Sequence, residues 1–202
     1  MRIALDVGNV LVDVDFEKFF IEFNRLGIRE EPLTFLCDIQ ARQDIGIKTL
    51  QVSLKARFGL SSNQIDRFME AWNESIKPNK EMLDFVDGLK ARGAEVAILS
   101  NMGLEHAAYI REVYPRIFDG NVLHLSCEVG ARKPTKLYFQ SFLMQHPEFK
   151  GCLFLDDRLE NIATAREFGL EGEHWRLDEY VTQGSDKRKE TLAGIKRRIG
   201  SR

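Results

Sequence analysis

Two short apolar runs in this chain end in carboxylates. Arg2-Ile3-Ala4-Leu5 leads into Asp6, and Cys152-Leu153-Phe154-Leu155 leads into Asp156-Asp157. A buried parallel strand reads as a short continuous apolar stretch. A residue at its carboxyl end lies at the sheet edge where open α/β folds bind ligands. If both runs are strands of one sheet, Asp6 and the Asp156-Asp157 pair meet in one crevice. Like charges gathered there need protons or a cation to neutralise them. Mg²⁺ suits an all-oxygen site that also holds phosphate.

Two more strand ends carry polar groups. Ala94 to Leu99 reads as a strand that runs into Ser100-Asn101. Asn121 to Leu125 reads as another, followed by Gly130-Ala131-Arg132-Lys133-Pro134. Each group has a task if the ligand is a phosphate ester. A carboxylate such as Asp6 can attack phosphorus and form an aspartyl-phosphate, which water then hydrolyses. The Ser100 hydroxyl and the backbone N–H groups of the turn Val7-Gly8-Asn9 can cradle phosphoryl oxygens. Lys133 can neutralise charge on those oxygens in the transition state. Asn161, one helical turn beyond Asp157, is placed to hydrogen-bond the acids.

The order Asp6-x-Gly8-Asn9-Val-Leu-Val-Asp13, Ser100-Asn101, Arg132-Lys133-Pro134, Asp156-Asp157-x-x-x-Asn161 resembles the four motifs of the haloacid dehalogenase (HAD) superfamily of hydrolases. The resemblance covers residues 1–14 and 78–175, and residues 15–77 resemble that superfamily's small helical cap. It implies a doubly wound, Rossmann-like parallel sheet of order 5-4-1-2-3 and Mg²⁺-dependent phosphatase activity. By position Asp6 matches the nucleophile, Ser100 the phosphate-binding serine and Lys133 the charge-stabilising lysine. Asp157 matches the metal-binding acid, Asp156 its supporting partner, and the Gly8 carbonyl a further metal ligand. The Asp-x-Gly-Asn loop resembles a subgroup that includes bacterial sugar-phosphate phosphatases, glucose 1-phosphate among their substrates. The implied partner is a small phosphorylated metabolite, bound by a monomer or homodimer.

One departure stands out. Most phosphatases of that family carry a second Asp two residues after the nucleophile, which protonates the leaving oxygen and later activates water. Here that position is Gly8. Loss of a positioned acid/base costs about 10²–10⁴-fold in rate. Asp13 is another acid in the loop; it is read as anchoring the chain that enters the cap, with proton transfer as its alternative role.

The elements that position these groups follow from pattern. Residues 15–77 read as helical throughout, around 15–26, 32–42, 48–58 and 62–76, with no strand. Asn79 caps a helix to about Arg92. Helices over 103–114, 135–146 and 159–168 then alternate with the strands, and a last strand lies near 171–176. Such alternation predicts a parallel sheet with right-handed crossovers. The division expected is 1–14 with 78–202 as the α/β core and 15–77 as the helical cap. A further helix is expected over 185–199, with Leu192, Ile195 and Ile199 on one face.

Composition narrows the classes. With 202 residues, 44% of them hydrophobic, the chain can bury a core, and a net charge of −2 gives no pull toward nucleic acid. No apolar stretch approaches the roughly 20 residues needed to span a bilayer, and no signal-peptide pattern opens the chain. Cys37, Cys127 and Cys152 form no C-x-x-C pair and read as reduced thiols of a cytoplasmic protein. The four histidines show no metal spacing, Arg132 reads as solvated or ion-paired, and the insertion's aromatics read as core. Arg42, Gln43 and Asp44 form a polar stretch that can face the cleft. Two alternatives to a phosphatase remain. One is a non-catalytic binder of a phosphorylated ligand, favoured by Gly8. The other is a 2-haloacid dehalogenase, which needs no metal and so gives no reason for Asp156-Asp157.

Overall fold

A computed structural model describes residues 1–175 and 192–197. The chain begins with β1 (Arg2–Leu5) and β2 (Val12–Val14), then α1 (Glu17–Arg25), α2 (Pro32–Asp44), α3 (Leu50–Phe58) and α4 (Ser62–Asn73). It continues through β3 (Ile76–Pro78), α5 (Lys80–Lys90), β4 (Glu95–Ser100), α6 (Leu104–Val113), β5 (Val122–Leu125) and α7 (Ser126–Val129). The last elements are α8 (Lys136–Gln145), β6 (Leu153–Asp156), α9 (Leu159–Glu167) and β7 (Glu171–His174). Residues 192–197 are helical; Leu192 and Ile195 are buried, and the Ile199 of the expected helix lies outside the described residues.

Five strands form one sheet in the order β5-β4-β1-β6-β7, every pair parallel. Counted along the chain this is the expected 5-4-1-2-3 order. The first strand is central because both faces of the sheet are covered. Ile3 and Leu5 point into a core shared with α5, α6, Leu192 and Ile195, while Ala4 points into one shared with α8 and α9. Side chains alternate along a strand, so one four-residue strand serves two cores. Ala4 and Ala97 are the small residues of the strands in that second core, which they share with Phe139 and Phe154.

The register fixes the site. Leu5 lies opposite Ile98 on one side and Leu155 on the other. Asp6 therefore emerges level with Asp156 and beside the end of β4, and its N–H donates to the Leu155 carbonyl at 2.9 Å.

Helices α1 to α4 are inserted between β2 and β3 and have a hydrophobic centre of their own. Phe23 is fully buried there, with Phe19, Phe35, Phe58 and Phe68 at centroid distances of 5.2, 5.5, 5.7 and 5.3 Å. Local signals set the helix ends. Asp15 accepts from the Glu17 N–H at 3.0 Å, Ser61 and Gln64 form a capping box, and Asn79 accepts from the Met82 N–H at 3.1 Å.

Two local expectations need correction. Residues 15–77 are not free of strand: Ile76 and Lys77 belong to β3, which pairs antiparallel with β2, Val14 opposite Ile76 and Asp13 opposite Lys77. This ribbon is the stem of the insertion. Three-residue strands carry too little alternation to show a period, and Pro78 tolerates its strand-end place because no N–H is needed there. The four-residue α7 was also not foreseen, being too short for a helical repeat.

Phe23→Ala should destabilise the protein by about 3–5 kcal/mol in urea unfolding, the usual cost of emptying a fully buried aromatic site. A loss under about 1 kcal/mol would contradict the packing described.

Candidate active site

Lys133 is the centre of the polar cluster. It is 1% exposed, and its Nζ lies 2.9 Å from Asp6 Oδ1 and 2.6 Å from Asp156 Oδ2 while donating to the Leu99 carbonyl at 2.6 Å. One ammonium thus ties together the ends of β1, β4 and β6. Its backbone is clamped in turn by Asn101, whose Nδ2 donates to the Lys133 carbonyl and whose Oδ1 accepts the Lys133 N–H, both at 2.8 Å.

The acids are held by neutral amides. Asn161 Nδ2 donates to both oxygens of the fully buried Asp156, at 2.9 and 3.1 Å, and the Arg158 N–H donates to Asp156 Oδ1 at 2.9 Å. Asn9 Nδ2 donates to Asp157 Oδ2 at 2.9 Å. Asn9 adopts a left-handed φ of 58°, a conformation asparagine tolerates better than most residues. It turns the loop after Asp6, while the Val7 carbonyl accepts from the amides of Val10, Leu11 and Val12. His174, at the end of β7, contacts the Asp157 carbonyl at 2.9 Å. That contact was invisible in the sequence, because the weakly apolar β7 gives little sign of where its end falls.

Asp6, Asp156 and Asp157 each offer an oxygen within 4.8 Å of the others. Burial raises the Asp6 pKa, Lys133 opposes the rise, and Asp156 and Asp157 add to it. Burial also raises Asp157, against the hydrogen bond from Asn9. For Lys133, burial favours loss of the proton, but Asp156 and Asp6 outweigh it and hold the pKa above the ordinary lysine range. Three carboxylates against the Lys133 ammonium leave a formal charge of −2. An all-oxygen set of that charge fits Mg²⁺, and a bound cation would reverse the upward shifts.

Beside the cluster, a cleft of about 300 Å³ opens between the sheet edge and the insertion. Gly8, Ser100 and Asn101 line it, and Asn101 joins it to the cluster of Asp6, Lys133, Asp156 and Asp157 through its hydrogen bonds with the Lys133 backbone. Ser100 is 1% exposed. A Cβ at Gly8 would meet only Val14, at 3.9 Å, so packing alone does not demand glycine there. Asp13 lies in β2 opposite Lys77 and does not line the cleft. Gln43 and Asp44 line it, but Arg42 is exposed.

The contacts that seat the insertion were not legible either. Glu105 of α6 accepts from the Leu50 and Gln51 amides at 2.6 and 3.1 Å, capping α3 from the core. His106 stacks on Trp72, centroids 4.5 Å apart and planes 3° from parallel. Arg132 is ion-paired, as expected, and its partner is Asp44 of the insertion, at 3.0 Å.

No protein-family model matches the chain. It is 27% identical over 124 residues to the sesquiterpene phosphatase astK of Aspergillus oryzae, a match covering 60% of this chain and 62% of that relative. Among solved structures it is similar to the HAD family enzyme bt-2542 of Bacteroides thetaiotaomicron, in complex with magnesium and inorganic phosphate. That likeness has a TM-score of 0.77 at 22% identity, over 90% of this chain and 96% of the other. It is also similar to the L-2-haloacid dehalogenase PA0810, with a TM-score of 0.62 at 19% identity, over 92% and 89%. The chain shares its fold with these solved structures. Among the described residues no helix is long and apolar enough to cross a membrane.

Mg²⁺ should raise the melting temperature at pH 7.5 and raise it less at pH 5. The sign follows from the raised carboxylate pKa values: lowering the pH protonates Asp6 and Asp157, and the cation must then displace those protons. An equal shift at both pH values, or none at pH 7.5, would count against a cation at the three acids.

Proposed function

We propose that this protein is a Mg²⁺-dependent phosphomonoesterase that passes a phosphoryl group from a small ester to Asp6 and then to water. The observation that carries this reading is the buried Lys133 ammonium held 2.9 Å from the Asp6 carboxylate, beside a cleft that Gly8, Ser100 and Asn101 line. Residues 1–14 and 78–202 would form the catalytic core and 15–77 the cap over it.

In this reading Asp6 is the nucleophile. Lys133 opposes the rise that burial gives the Asp6 pKa and meets the charge that develops on the phosphoryl oxygens. Ser100 and the amides of the Gly8-Asn9 turn hold those oxygens. Asn101 keeps the Lys133 loop in place, while Asp156 and Asn161 orient the lysine. Asp6, the Gly8 carbonyl and Asp157 would hold Mg²⁺, which when bound supplies positive charge that offsets the repulsion between substrate and nucleophile. The insertion excludes water from the cleft. Three converging acids disfavour the dehalogenase reading, because an Asp nucleophile that displaces halide has no use for a cation site.

Two leaving-group chemistries fit the phosphatase reading. A sugar is what the Asp-x-Gly-Asn resemblance implies. The cleft favours an alcohol with an apolar body, since Val12, Val14, Phe16, Leu36, Trp72 and Ile76 face it, and the curated relative is a sesquiterpene phosphatase.

Asp6→Asn should reduce phosphate release to background, and a chelator should do the same reversibly on re-addition of Mg²⁺. Full activity in either case, or halide release from 2-haloacids without metal, would contradict the proposal. In a substrate panel, prenyl and long-chain alkyl phosphates should show a higher kcat/KM than glucose 1-phosphate; the reverse order would restore the sugar reading.

A further inference from the structure

The phosphatase reading leaves one task without a residue. The departing oxygen needs a proton and the attacking water must lose one, yet the position from which the family supplies this group is Gly8. The titratable groups lining the cleft are Cys37, Asp44, Glu105 and His106. Cys37 is an exposed thiol. Glu105 is committed to the Leu50 and Gln51 amides. His106 is stacked flat on Trp72 with Nε2 toward the Trp72 carbonyl. Asp44 is different: it is 5% exposed, and its buried Oδ2 has no hydrogen bond. The Arg132 guanidinium lies 3.0 Å from that oxygen but off the hydrogen-bonding direction.

The backbone pins Asp44 against the core on both sides. Before it, Gln43 packs on Gly103, where an added Cβ would sit 3.6 Å from the Gln43 Cβ. After it, Gly46 at φ 72° lies so close to the Cys127 carbonyl that a Cβ would come within 2.6 Å of the oxygen. The end of α2 is therefore set on the same loop that carries Ser100 and Asn101.

We propose that Asp44 is the acid that protonates the leaving oxygen and then the base that activates water, replacing the side chain Gly8 lacks. The inference rests on the phosphatase reading above. In the first step an Asp6 oxygen bonds to phosphorus, the bond from phosphorus to the leaving oxygen breaks, and that oxygen takes the Asp44 proton to give the alcohol. In the second, water bonds to phosphorus as Asp44 takes its proton, and the bond to Asp6 breaks. Phosphate leaves, and both carboxyl groups return to their starting states.

The electrostatics agree with the geometry. Burial lifts the Asp44 pKa to about 6, against the pull of Arg132, Lys133 and Arg158. An acid/base is most effective with a pKa near the working pH. His106, which burial pushes down to about 4, has no proton to give at neutral pH.

The test compares kcat/KM for hexyl phosphate and 4-nitrophenyl phosphate, with Mg²⁺, in wild type, Asp44→Asn and Asp44→Glu. This parameter reports departure of the alcohol and not the later hydrolysis shared by both esters. Asp44→Asn should cost hexyl phosphate about 10²-fold or more and spare 4-nitrophenyl phosphate, whose leaving group departs without a proton. Asp44→Glu should recover part of the hexyl phosphate activity. Equal losses on the two esters, or no loss on either, overturn the assignment while leaving the phosphatase reading intact. A wild type that turns over neither ester overturns both. Asp44→Ser carries the same expectation and takes the place of Asp44→Asn if thermal unfolding shows that variant unfolded.

Discussion

A buried ammonium between two buried carboxylates organises this molecule. Taking a lysine out of water costs several kcal/mol unless its charge and its donors are matched. Lys133 meets that condition with three acceptors, Asp6, Asp156 and the Leu99 carbonyl, drawn from three different strands. The sheet order is what makes this possible. With β1 between β4 and β6, the ends of all three strands stand side by side, and the loop after β5 and α7 brings the lysine across them. Removing Lys133 would leave two buried acids facing each other, so the interaction that positions Asp6 also holds the sheet edge closed.

Around this centre the supporting contacts come from neutral amides. Asn101 grips the Lys133 backbone, Asn161 grips Asp156, and Asn9 grips Asp157. An amide donor can orient a carboxylate without cancelling its charge, as a second lysine would. The cluster therefore keeps the negative charge that a divalent cation needs. Arginine and glutamate serve elsewhere: Arg132 to Asp44, and Glu105 to the start of α3, join the insertion to the core.

The sheet and the strand-end residues were legible in the sequence because burial writes a plain signature. Val96 to Leu99 and Leu153 to Leu155 are continuous apolar runs, and the polar groups follow directly after them. The β2–β3 stem was missed because three-residue strands carrying Asp13 and Lys77 show no period. Contacts between insertion and core were missed for another reason. Asp44, Glu105 and Trp72 look like ordinary helix residues, and their partners lie far along the chain. Nothing in local sequence marks a carboxylate that caps a helix far along the chain. The polar stretch 42–44 did suggest a cleft-facing segment, but only the backbone at Gly46 and Gln43 sets which of its side chains turns inward.

The most direct test of the central claim is to find where the phosphoryl group goes. The protein with Mg²⁺ and a turned-over phosphate ester would be quenched in acid during the steady state, trapped by borohydride reduction and mapped by peptide mass spectrometry. The account expects the reduced adduct at Asp6 and nowhere else. Sustained turnover with Asp6 unmodified, or an adduct on any other residue, would contradict it.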